Sequence, residues 1–407
     1  MNNNSNLNSQ TSSLRTHISF FGMTNAGKSS VVNAITNQGL SIVSDVKGTT
    51  TDPVRKAMEI LPLGPVVIID TPGLNDSSKL GELRIKKTKE ILRETDIAVL
   101  VIDSTVGKSK EDEEIISLFK EMNLPFIEVY NKSDINLDFT PTNSNSGNTK
   151  ICVSAKTKYN IDELKELLGH LIKDTSKENP LIGDLIHPKD IVILVIPIDE
   201  SAPKGRLILP QQLVLRDCLD HNAIPICCQP SELDSILKTL NYNVKLVITD
   251  SQAFKEVSKI VPTSCLLTSF SILMARYKGL LKQQILGAKA LKNLTDFDTV
   301  LIAEGCTHHR QCNDIGSVKM PNWIKNFSNS TPNFIFSSGR DFPERTTEFK
   351  VIVHCGGCML TQKDMENRVK IATKNGTPIV NYGIAIAYMN GILDRSLEIF
   401  PDLHSLL

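Results

Sequence analysis

The sequence predicts an α/β protein with three domains along the chain, each built on a largely parallel sheet. Its 407 residues exceed what one ordinary core requires, since domains commonly hold roughly 100 to 200 residues. Short apolar runs alternate with helix-like stretches, the pattern of strands covered by helices. In the last third of the chain each apolar run ends in a glycine-containing turn, which favours a doubly wound sheet.

The first domain is predicted over residues 16–175, after a flexible Asn- and Ser-rich tail over residues 1–15. Its expected strands are HISFFG, VVIID, IAVLVID, PFIEVYN and ICVSA. These runs are apolar almost throughout, which indicates a parallel sheet with helices on both faces. The polar insert NLDFTPTNSNSGNTK is expected to be a surface loop, and DTSKENPLIGDLIHP to be a linker.

A middle domain is predicted over residues 176–268, with strands in DIVILVIPID, AIPICCQ and VKLVITD. It carries no recognisable chemical motif. The apolar run 191–198 fits either plain core or a strand near a subunit interface. The last domain, over residues 269–407, has its expected strands in TVLIAEG, NFIFSSG, FKVIVHCGG and PIVNYG.

Composition excludes several classes of protein. The 45 basic and 45 acidic residues cancel, so the sequence predicts neither a general nucleic-acid binder nor an anionic-membrane binder. No apolar run reaches the roughly 20 residues that span a bilayer, and the N-terminus lacks the apolar core of a signal peptide. We therefore expect a soluble, cytoplasmic protein. Nine cysteines, an odd number, indicate reduced thiols rather than a disulfide framework.

A phosphate-binding loop is predicted at GMTNAGKS, Gly22 to Ser29, because it follows a strand and precedes the helix SSVVNAI. The glycines let backbone N–H groups surround phosphates, and the helix N-terminus adds positive potential. Lys28 would reach the β and γ phosphates, and the Ser29 hydroxyl would bind Mg²⁺.

Two further motifs close later strands of the same domain. The run DTPG places Asp70 near Mg²⁺ and Gly73 near the γ phosphate. The run NKSD ends in Asp134, whose carboxylate can accept two hydrogen bonds from guanine, whereas adenine lacks that pair of donors. Ser154, Ala155 and Lys156 supply a loop under the base. The sequence therefore predicts binding of GTP and GDP rather than ATP.

These motifs resemble the TrmE-Era class of GTPases, whose phosphate loop often carries the NAGKS found at residues 25–29. The resemblance implies that Thr50 binds Mg²⁺ and the γ phosphate, although GTTTD here lacks the arginine of the class motif GTTRD. Leu74 stands where other small GTPases have a water-orienting glutamine. In relatives of this class a K⁺ ion, held partly by the residue matching Asn25, replaces an arginine finger.

Glu82 matches a water-orienting carboxylate of TrmE-like enzymes, but an ordinary exposed helix glutamate is the simpler interpretation. The residues assigned to catalysis are Asn25, Lys28, Thr50, Asp70, Gly73 and Glu82. Those assigned to nucleotide binding are Gly22, Asn25, Ala26, Gly27, Lys28, Ser29, Ser30, Asn131, Lys132, Asp134, Ser154, Ala155 and Lys156.

A second predicted site lies where HCGGC, residues 354–358, and CTH, residues 306–308, each follow a strand. If those strands are neighbours, both motifs meet at one sheet edge, the usual ligand crevice of such folds. TQKD, which follows closely after Cys358, resembles a capping box, so a helix N-terminus would favour thiolates there. Spacing leaves open a zinc site, a 4Fe-4S cluster on three thiolates and, with less support, a redox pair.

The whole pattern resembles the HydF family of FeFe-hydrogenase maturation GTPases. The resemblance implies a scaffold and carrier, with chaperone-like action, that holds a 4Fe-4S cluster through Cys306, Cys355 and Cys358. His308 and His354 match the two motif histidines of the family, as iron ligands or as residues that orient a thiolate. A diiron subcluster precursor would arrive from radical-SAM maturases and pass to apo FeFe-hydrogenase, and the middle domain would form a homodimer.

An alternative from another class is a ribosome- or tRNA-associated GTPase with a structural zinc domain. Such a protein predicts a basic surface rich in aromatic residues. The balanced charge and the aromatic content of 5% give it no support.

Overall fold

The computed structural model describes residues 15–36, 53–71, 81–137, 149–175, 179–198, 207–305, 314–339, 341–357 and 360–407; within these, it describes residues 81–87 and 173–175 by their backbone alone. The chain divides into two compact units, Met1–Lys177 and Glu178–Leu407. No helix in the described ranges is long and apolar enough to cross a membrane.

The first unit is a six-stranded sheet in the order β2-β3-β1-β4-β5-β6, with only the β2–β3 pair antiparallel. Its elements are β1 (Thr16–Gly22), α1 (Lys28–Thr36), β2 (Val54–Ile60), β3 (Gly64–Asp70), α2 (Gly81–Glu94), β4 (Ile97–Asp103), α3 (Lys110–Glu121), β5 (Phe126–Asn131), β6 (Thr149–Cys152) and α4 (Ile161–Thr175).

Two apolar cores flank this sheet, because successive side chains of a strand point to opposite faces. Ile18 and Val99 face one core with residues of α1 and α4, and Phe21 and Leu100 face the other with residues of α2 and α3. The parallel strands end at one edge of the sheet, where Asp103 of β4 pairs with Asn131 of β5. The predicted nucleotide motifs follow these strand ends.

The second unit holds two four-stranded sheets in the orders β10-β9-β7-β8 and β12-β11-β13-β14, with every pair parallel. Its strands and helices are β7 (Ile191–Val195), α5 (Leu209–Asp220), β8 (Ile224–Cys228), α6 (Leu233–Thr239), β9 (Leu246–Thr249), α7 (Phe254–Ile260), β10 (Leu266–Ser269), α8 (Phe270–Tyr277), α9 (Leu281–Ala288), β11 (Thr299–Ala303), α10 (Met320–Ser328), β12 (Asn333–Ser337), β13 (Val351–His354), α11 (Gln362–Lys374), β14 (Ile379–Asn381), α12 (Tyr382–Met389), α13 (Leu393–Leu397) and α14 (Pro401–His404).

The two sheets of this unit use the same order of strands. Read from the opposite edge, the second is β14-β13-β11-β12, which repeats the first strand for strand. In both, a polar side chain ends the last strand and caps the next helix: Ser269 accepts the N–H of Ile272, and Asn381 accepts the N–H of Ile384. Each of these helices then reaches a left-handed glycine, Gly279 at φ 70° and Gly391 at φ 69°.

One apolar core joins the two sheets of the second unit. Ile272 of α8, Ile285 of α9 and Ile384 of α12 are fully buried in it. Helix α9 approaches β14 so closely that a Cβ added to Gly287 would lie 2.1 Å from the Ile379 carbonyl oxygen. The position of α9 against the second sheet is therefore tightly defined.

Candidate functional site

The loop between β1 and α1 has the backbone conformation that phosphate binding requires. Gly27 lies at φ +83°, and a Cβ there would be 2.2 Å from the Asn131 side-chain nitrogen. A Cβ on Gly22 would lie 2.4 Å from the Val101 carbonyl oxygen. Asn25 also adopts a left-handed conformation, at φ 68°. The glycines are thus needed both for backbone angles and for close approach of β4 and β5.

Lys28, Ser29 and Asp70 come together at the start of α1. The Lys28 ammonium is buried, and it donates to the Asp70 carboxylate and to the Thr71 carbonyl. The Ser29 hydroxyl donates to the other oxygen of Asp70 at 3.0 Å. A hydroxyl beside a carboxylate is an oxygen donor set that suits Mg²⁺, and the adjacent ammonium suits a phosphate.

Asn131 braces the nucleotide loops against each other. Its side-chain N–H group donates to the Ala26 carbonyl at 3.1 Å, and its side-chain oxygen accepts the N–H of Ala155 at 3.1 Å. The side chain is buried. Asn131 therefore ties the phosphate loop to the predicted base loop, a role that the NKSD motif alone does not reveal.

The remaining NKSD residues are oriented by neighbouring side chains. The Asp134 carboxylate accepts a hydrogen bond from the Ser154 hydroxyl at 2.7 Å. Lys132 donates to Asp103 at 2.5 Å, at the end of β4. Burial alone would raise the pKa of Asp103, but hydrogen bonds from Lys132 and Thr105 outweigh it and hold that pKa below its usual value. Asp103 is a site residue that sequence reasoning missed, although it ends the apolar run IAVLVID.

The other residues predicted to bind or hydrolyse the nucleotide either are exposed or have side chains that the structure does not describe. Ser30 and Lys156 are exposed, as is Asn25 at the tip of the phosphate loop. Thr50 and Gly73 lie outside the described residues, and Glu82 lies in α2, where the structure describes the backbone alone. Their assigned roles stay predictions.

The cysteine motifs follow β11 and β13, which are adjacent and parallel, with Ala303 paired to His354. Chain order reverses between these two strands, which makes their carboxyl ends the switch point where such sheets bind ligands. The Cys355 N–H donates to the Ala303 carbonyl at 2.9 Å. The Gly305 N–H in turn donates to the Cys355 sulfur at 3.0 Å, directly before position 306.

His354 is buried, and both of its ring nitrogens face protein groups. Nδ1 lies 2.5 Å from the Cys355 carbonyl oxygen, so Nδ1 carries the proton. Nε2 then accepts from the side-chain N–H group of Gln284, at 3.2 Å. Burial, reinforced by the nearby positive charges of Arg368 and Lys278, lowers the pKa of His354 to about 3, so its ring is neutral at ordinary pH. In this arrangement His354 orients the Cys355 loop.

Two buried cations lie around the same loop, and neither was predicted. The Lys278 ammonium donates to the Gly357 carbonyl at 2.8 Å. Arg368 of α11 lies 3.3 Å from an Asp364 oxygen and donates to the Gly339 carbonyl at 2.6 Å. Helix α11 begins after Thr361, whose hydroxyl caps it by accepting the Asp364 N–H at 3.0 Å. Positive potential from these groups favours thiolates.

Two features of this site bear on whether it fits a sulfur-bound metal group: its donor atoms and the space beside the loop. The Cys355 thiol is half-buried and receives a backbone N–H, as metal-bound sulfur does. A Cβ added to Gly356 would meet no atom of the described residues within 4 Å, so these residues leave room beside the loop. Within the described ranges no group of three or more His, Cys, Asp and Glu side chains could hold a metal. Cys306, His308 and Cys358 lie outside those ranges.

The described cysteines away from this loop have the character of core or surface residues. Burial raises the pKa of Cys218 to about 12 and that of Cys228 to about 11. Cys265 is buried, Cys152 is half-buried and Cys227 is exposed. None of these five follows the switch point of the second sheet. Cys312 lies outside the described residues.

Comparisons with known proteins find relatives of the first unit. The family profile described as 50S ribosome-binding GTPase matches residues 17–132. The tRNA modification GTPase MnmE of Chromobacterium violaceum is 34% identical over 157 residues, 38% of this chain and 34% of that protein. The GTPase Der of Kosmotoga olearia is 37% identical over 123 residues, 29% of this chain and 28% of that protein. The chain thus spans about a third of the length of these relatives.

Among solved structures, the G domain of the T. maritima FeoB iron transporter aligns with 39% of this chain and 99% of its own, at 21% identity and a TM-score of 0.31. The profile described as Hydrogen maturase F dimerization domain matches residues 181–279, and that described as Hydrogen maturase F tetramerization domain matches residues 282–399.

The first unit is therefore a P-loop GTPase domain, joined to an α/β unit of dimerization and tetramerization type with a cysteine loop at a sheet switch point. These matches confirm the predicted fold class. The chain belongs to the hydrogen maturase F family, HydF, as its motifs indicated.

Proposed function

We propose that this chain is a GTP-hydrolysing iron–sulfur scaffold that carries a diiron subcluster precursor to apo FeFe-hydrogenase. The observation that carries the proposal is the Cys355 loop at the switch point of the second sheet, beside the strand that leads to Cys306. Family membership supports the maturation role. The site's buried cations support an anionic sulfur-bound group.

Hydrolysis would use the residues that meet at the start of α1. Lys28 would neutralise the β and γ phosphates, and Ser29, Thr50 and Asp70 would hold Mg²⁺. Asn25 would hold a K⁺ ion that neutralises charge developing on the phosphates, and Gly73 would contact the γ phosphate. Glu82 would orient the attacking water.

The cluster would be held by Cys306, Cys355 and Cys358. A 4Fe-4S cluster bound through three sulfurs leaves one iron with an exchangeable ligand, where a small precursor can attach. His354 would fix the Cys355 backbone through its Nδ1–H, and the Gly305 N–H would stabilise the sulfur charge. His308 would orient or bind the same group.

Assembly and partners follow from the family rather than from contacts of this chain. The middle segment would form a homodimer, as the dimerization profile supports. The tetramerization profile supports a further level of association. Radical-SAM maturases would supply the diiron cargo, and apo FeFe-hydrogenase would receive it.

The test is anaerobic purification followed by iron, sulfide and zinc analysis with electron paramagnetic resonance (EPR) of the reduced protein. Ala at Cys306, Cys355 or Cys358 should remove most iron and abolish activation of apo-hydrogenase. Ala at His308 or His354 should keep the cluster and change its signal or its transfer. Ala at Cys218 or Cys265, which are buried elsewhere, provides the control and should leave iron content unchanged.

Two outcomes would contradict the proposal. One zinc per chain without sulfide would favour the alternative, a ribosome- or tRNA-associated GTPase with a structural zinc site. Full iron occupancy in Cys306→Ala would remove the CTH motif from the ligand set.

A further inference from the structure

Helix α9 sends one buried amide side chain to the histidine that precedes Cys355. Gln284 is 1% exposed and His354 is 2% exposed. The Gln284 side-chain N–H group donates to His354 Nε2 at 3.2 Å, across 70 positions of the sequence. In the part of the chain that the structure describes, the oxygen of the same amide has no hydrogen-bond partner. A buried amide with one unpaired group costs free energy, so helix packing alone does not account for glutamine at this position.

The two nitrogens of the His354 ring have different partners. Nδ1 lies 2.5 Å from the Cys355 carbonyl oxygen, which can only accept a hydrogen bond. The proton of the neutral ring therefore lies on Nδ1, and Nε2 is left as an acceptor that needs a donor. Gln284 supplies that donor. Because the partner of one ring nitrogen sets which nitrogen carries the proton, Gln284 acts on Cys355 through His354.

The helix that carries Gln284 is held in place by the strand next to His354. Gly287 lies three residues after Gln284, on the same face of α9. A Cβ on Gly287 would lie 2.1 Å from the Ile379 carbonyl oxygen of β14. Strand β14 pairs with β13, where Asn381 lies opposite His354. The amide and the ring thus belong to elements whose separation is fixed by close backbone contact.

The His354 contact is one of three that hold Cys355 at the carboxyl end of β13. The Cys355 N–H donates to the Ala303 carbonyl at 2.9 Å, and the Gly305 N–H donates to the Cys355 sulfur at 3.0 Å. The Cys355 carbonyl is held by the His354 ring. Loss of the ring contact would therefore free one side of Cys355 and leave the strand pairing intact.

We propose that Gln284 is a positioning residue of the cysteine loop, whose N–H group holds His354 in the tautomer and orientation in which Nδ1–H binds the Cys355 carbonyl. The thiol is then held in place before any metal arrives, so less ordering is required when a metal binds. The inference concerns the metal-free loop, and its importance for iron binding rests on the proposed function.

The experiment uses the metal-free full chain, deuterated and labelled with ¹⁵N-histidine, as wild type, Gln284→Met and Gln284→Asn. Methionine has a similar shape without the amide, and asparagine keeps the amide on a side chain shorter by about 1.5 Å. The matched control is Gln283→Met, which makes the same change at the exposed neighbouring position of α9. Long-range ¹H–¹⁵N correlation spectra distinguish protonated, hydrogen-bonded and free ring nitrogens. The signal lost in His354→Gln identifies His354 among the eight histidines.

In wild type, His354 should show one tautomer, with the proton on Nδ1 and a hydrogen-bonded Nε2. In both Gln284 variants the Nε2 signal should move toward that of a free nitrogen, because its donor is removed or withdrawn. Hydrogen exchange of the Cys355 amide, read by mass spectrometry with fragmentation, should be roughly fivefold faster, because the loop loses part of one hydrogen bond. Gln283→Met should match wild type in both measurements.

A proton on Nε2 in wild type would overturn the inference, and so would an unchanged His354 signal in Gln284→Met. Equal changes in Gln283→Met would also overturn it, because any alteration of α9 would then suffice. If Gln284→Met is insoluble, Gln284→Asn carries the comparison. Both measurements are made without metal, so a wild type that binds zinc without sulfide would overturn the proposed function and leave this inference intact.

Discussion

The side chains that position both sites have partners far away in the sequence. Asn131 reaches back to Ala26 across 105 positions, and Lys278 reaches Gly357 across 79. Sequence motifs predict which residues touch phosphate, base or metal, because those chemistries require particular residue types at short spacing. They gave no signal for Lys278 or Gln284, since a polar residue on a helix is ordinarily solvated.

Asp134→Asn should weaken GTP binding by roughly 100-fold, or about 2.7 kcal/mol, because an amide replaces the acceptor that reads two guanine donors. Binding of xanthosine triphosphate should rise, since xanthine presents an acceptor to the new amide. Ser154 already orients the carboxylate, so little rearrangement should accompany the change. Competition with a fluorescent guanine nucleotide measures both effects. Asp162→Asn, an exposed carboxylate on α4, is the control.

Hydrolysis should be faster in K⁺ than in Na⁺ if a cation at Asn25 neutralises the phosphates. Asn25→Ala should remove most of that difference and should leave nucleotide affinity within a few fold, because Asn25 is exposed at the loop tip. Phosphate release in matched KCl, RbCl and NaCl measures the effect. Equal rates in the three salts for wild type would discard the cation.

At the scale of elements, the apolar runs predicted most of the strands. Every apolar run that was expected to be a strand contributes to one in the fold. The central strands are apolar because both of their faces are buried, whereas β8 and β12 are partly exposed edge strands. Two strands of the described residues, β2 and β10, were not predicted. β2 reads VRKAMEI and is largely exposed, since it is an antiparallel edge strand that buries little surface. β10 has only four residues, LLTS, and runs directly into α8.

Gly287→Ala should destabilise the second unit by about 1–3 kcal/mol, because the added methyl group would press on the β14 backbone. Trp323 of α10 is the only tryptophan of the chain and packs against the core of that unit. Its fluorescence therefore reports this unfolding in urea, and the midpoint should fall.

The matched change is Gly169→Ala in α4, where an added Cβ would make only ordinary contacts at 3.8 Å. It should stabilise the first unit by about 0.5–1 kcal/mol, since alanine favours a helix over glycine. The Trp323 transition should not move. A Gly287→Ala midpoint equal to wild type would mean that α9 can shift away from β14.

At the scale of the whole chain, the nucleotide motifs and the cysteine loop lie in different compact units. The sequence predicted a linker over residues 174–188, of which Leu181, Ile182 and Ile186 are buried in the core of the second unit. The domain bounds at 175 and 268 stay predictions. Coupling between the nucleotide site and the cysteine loop depends on two conformations of the same residues. A single sequence therefore gives no signal for it.

Lys28→Ala should abolish GTP hydrolysis, because the phosphates lose their cation, and should leave iron content and the EPR spectrum unchanged. The reciprocal variant, Cys355→Ala, should lose iron and keep wild-type hydrolysis. Phosphate release and iron analysis on the same preparations test both. Loss of iron in Lys28→Ala would show that the two units do not act independently.

The repeated strand order of the second unit gives the cysteine loop a counterpart within the same molecule. Thr249 lies between Val195 and Ser269 as His354 lies between Ala303 and Asn381, so Asp250 occupies the place of Cys355. Each chain therefore contains a second sheet with the same strand order that has an aspartate, not a cysteine, at this position. A change in the structure that results from the shared strand order should affect Asp250 as well as Cys355. A change that affects only Cys355 results from the chemistry of its sulfur. The first sheet of the unit is therefore an internal control for the cysteine loop of the second.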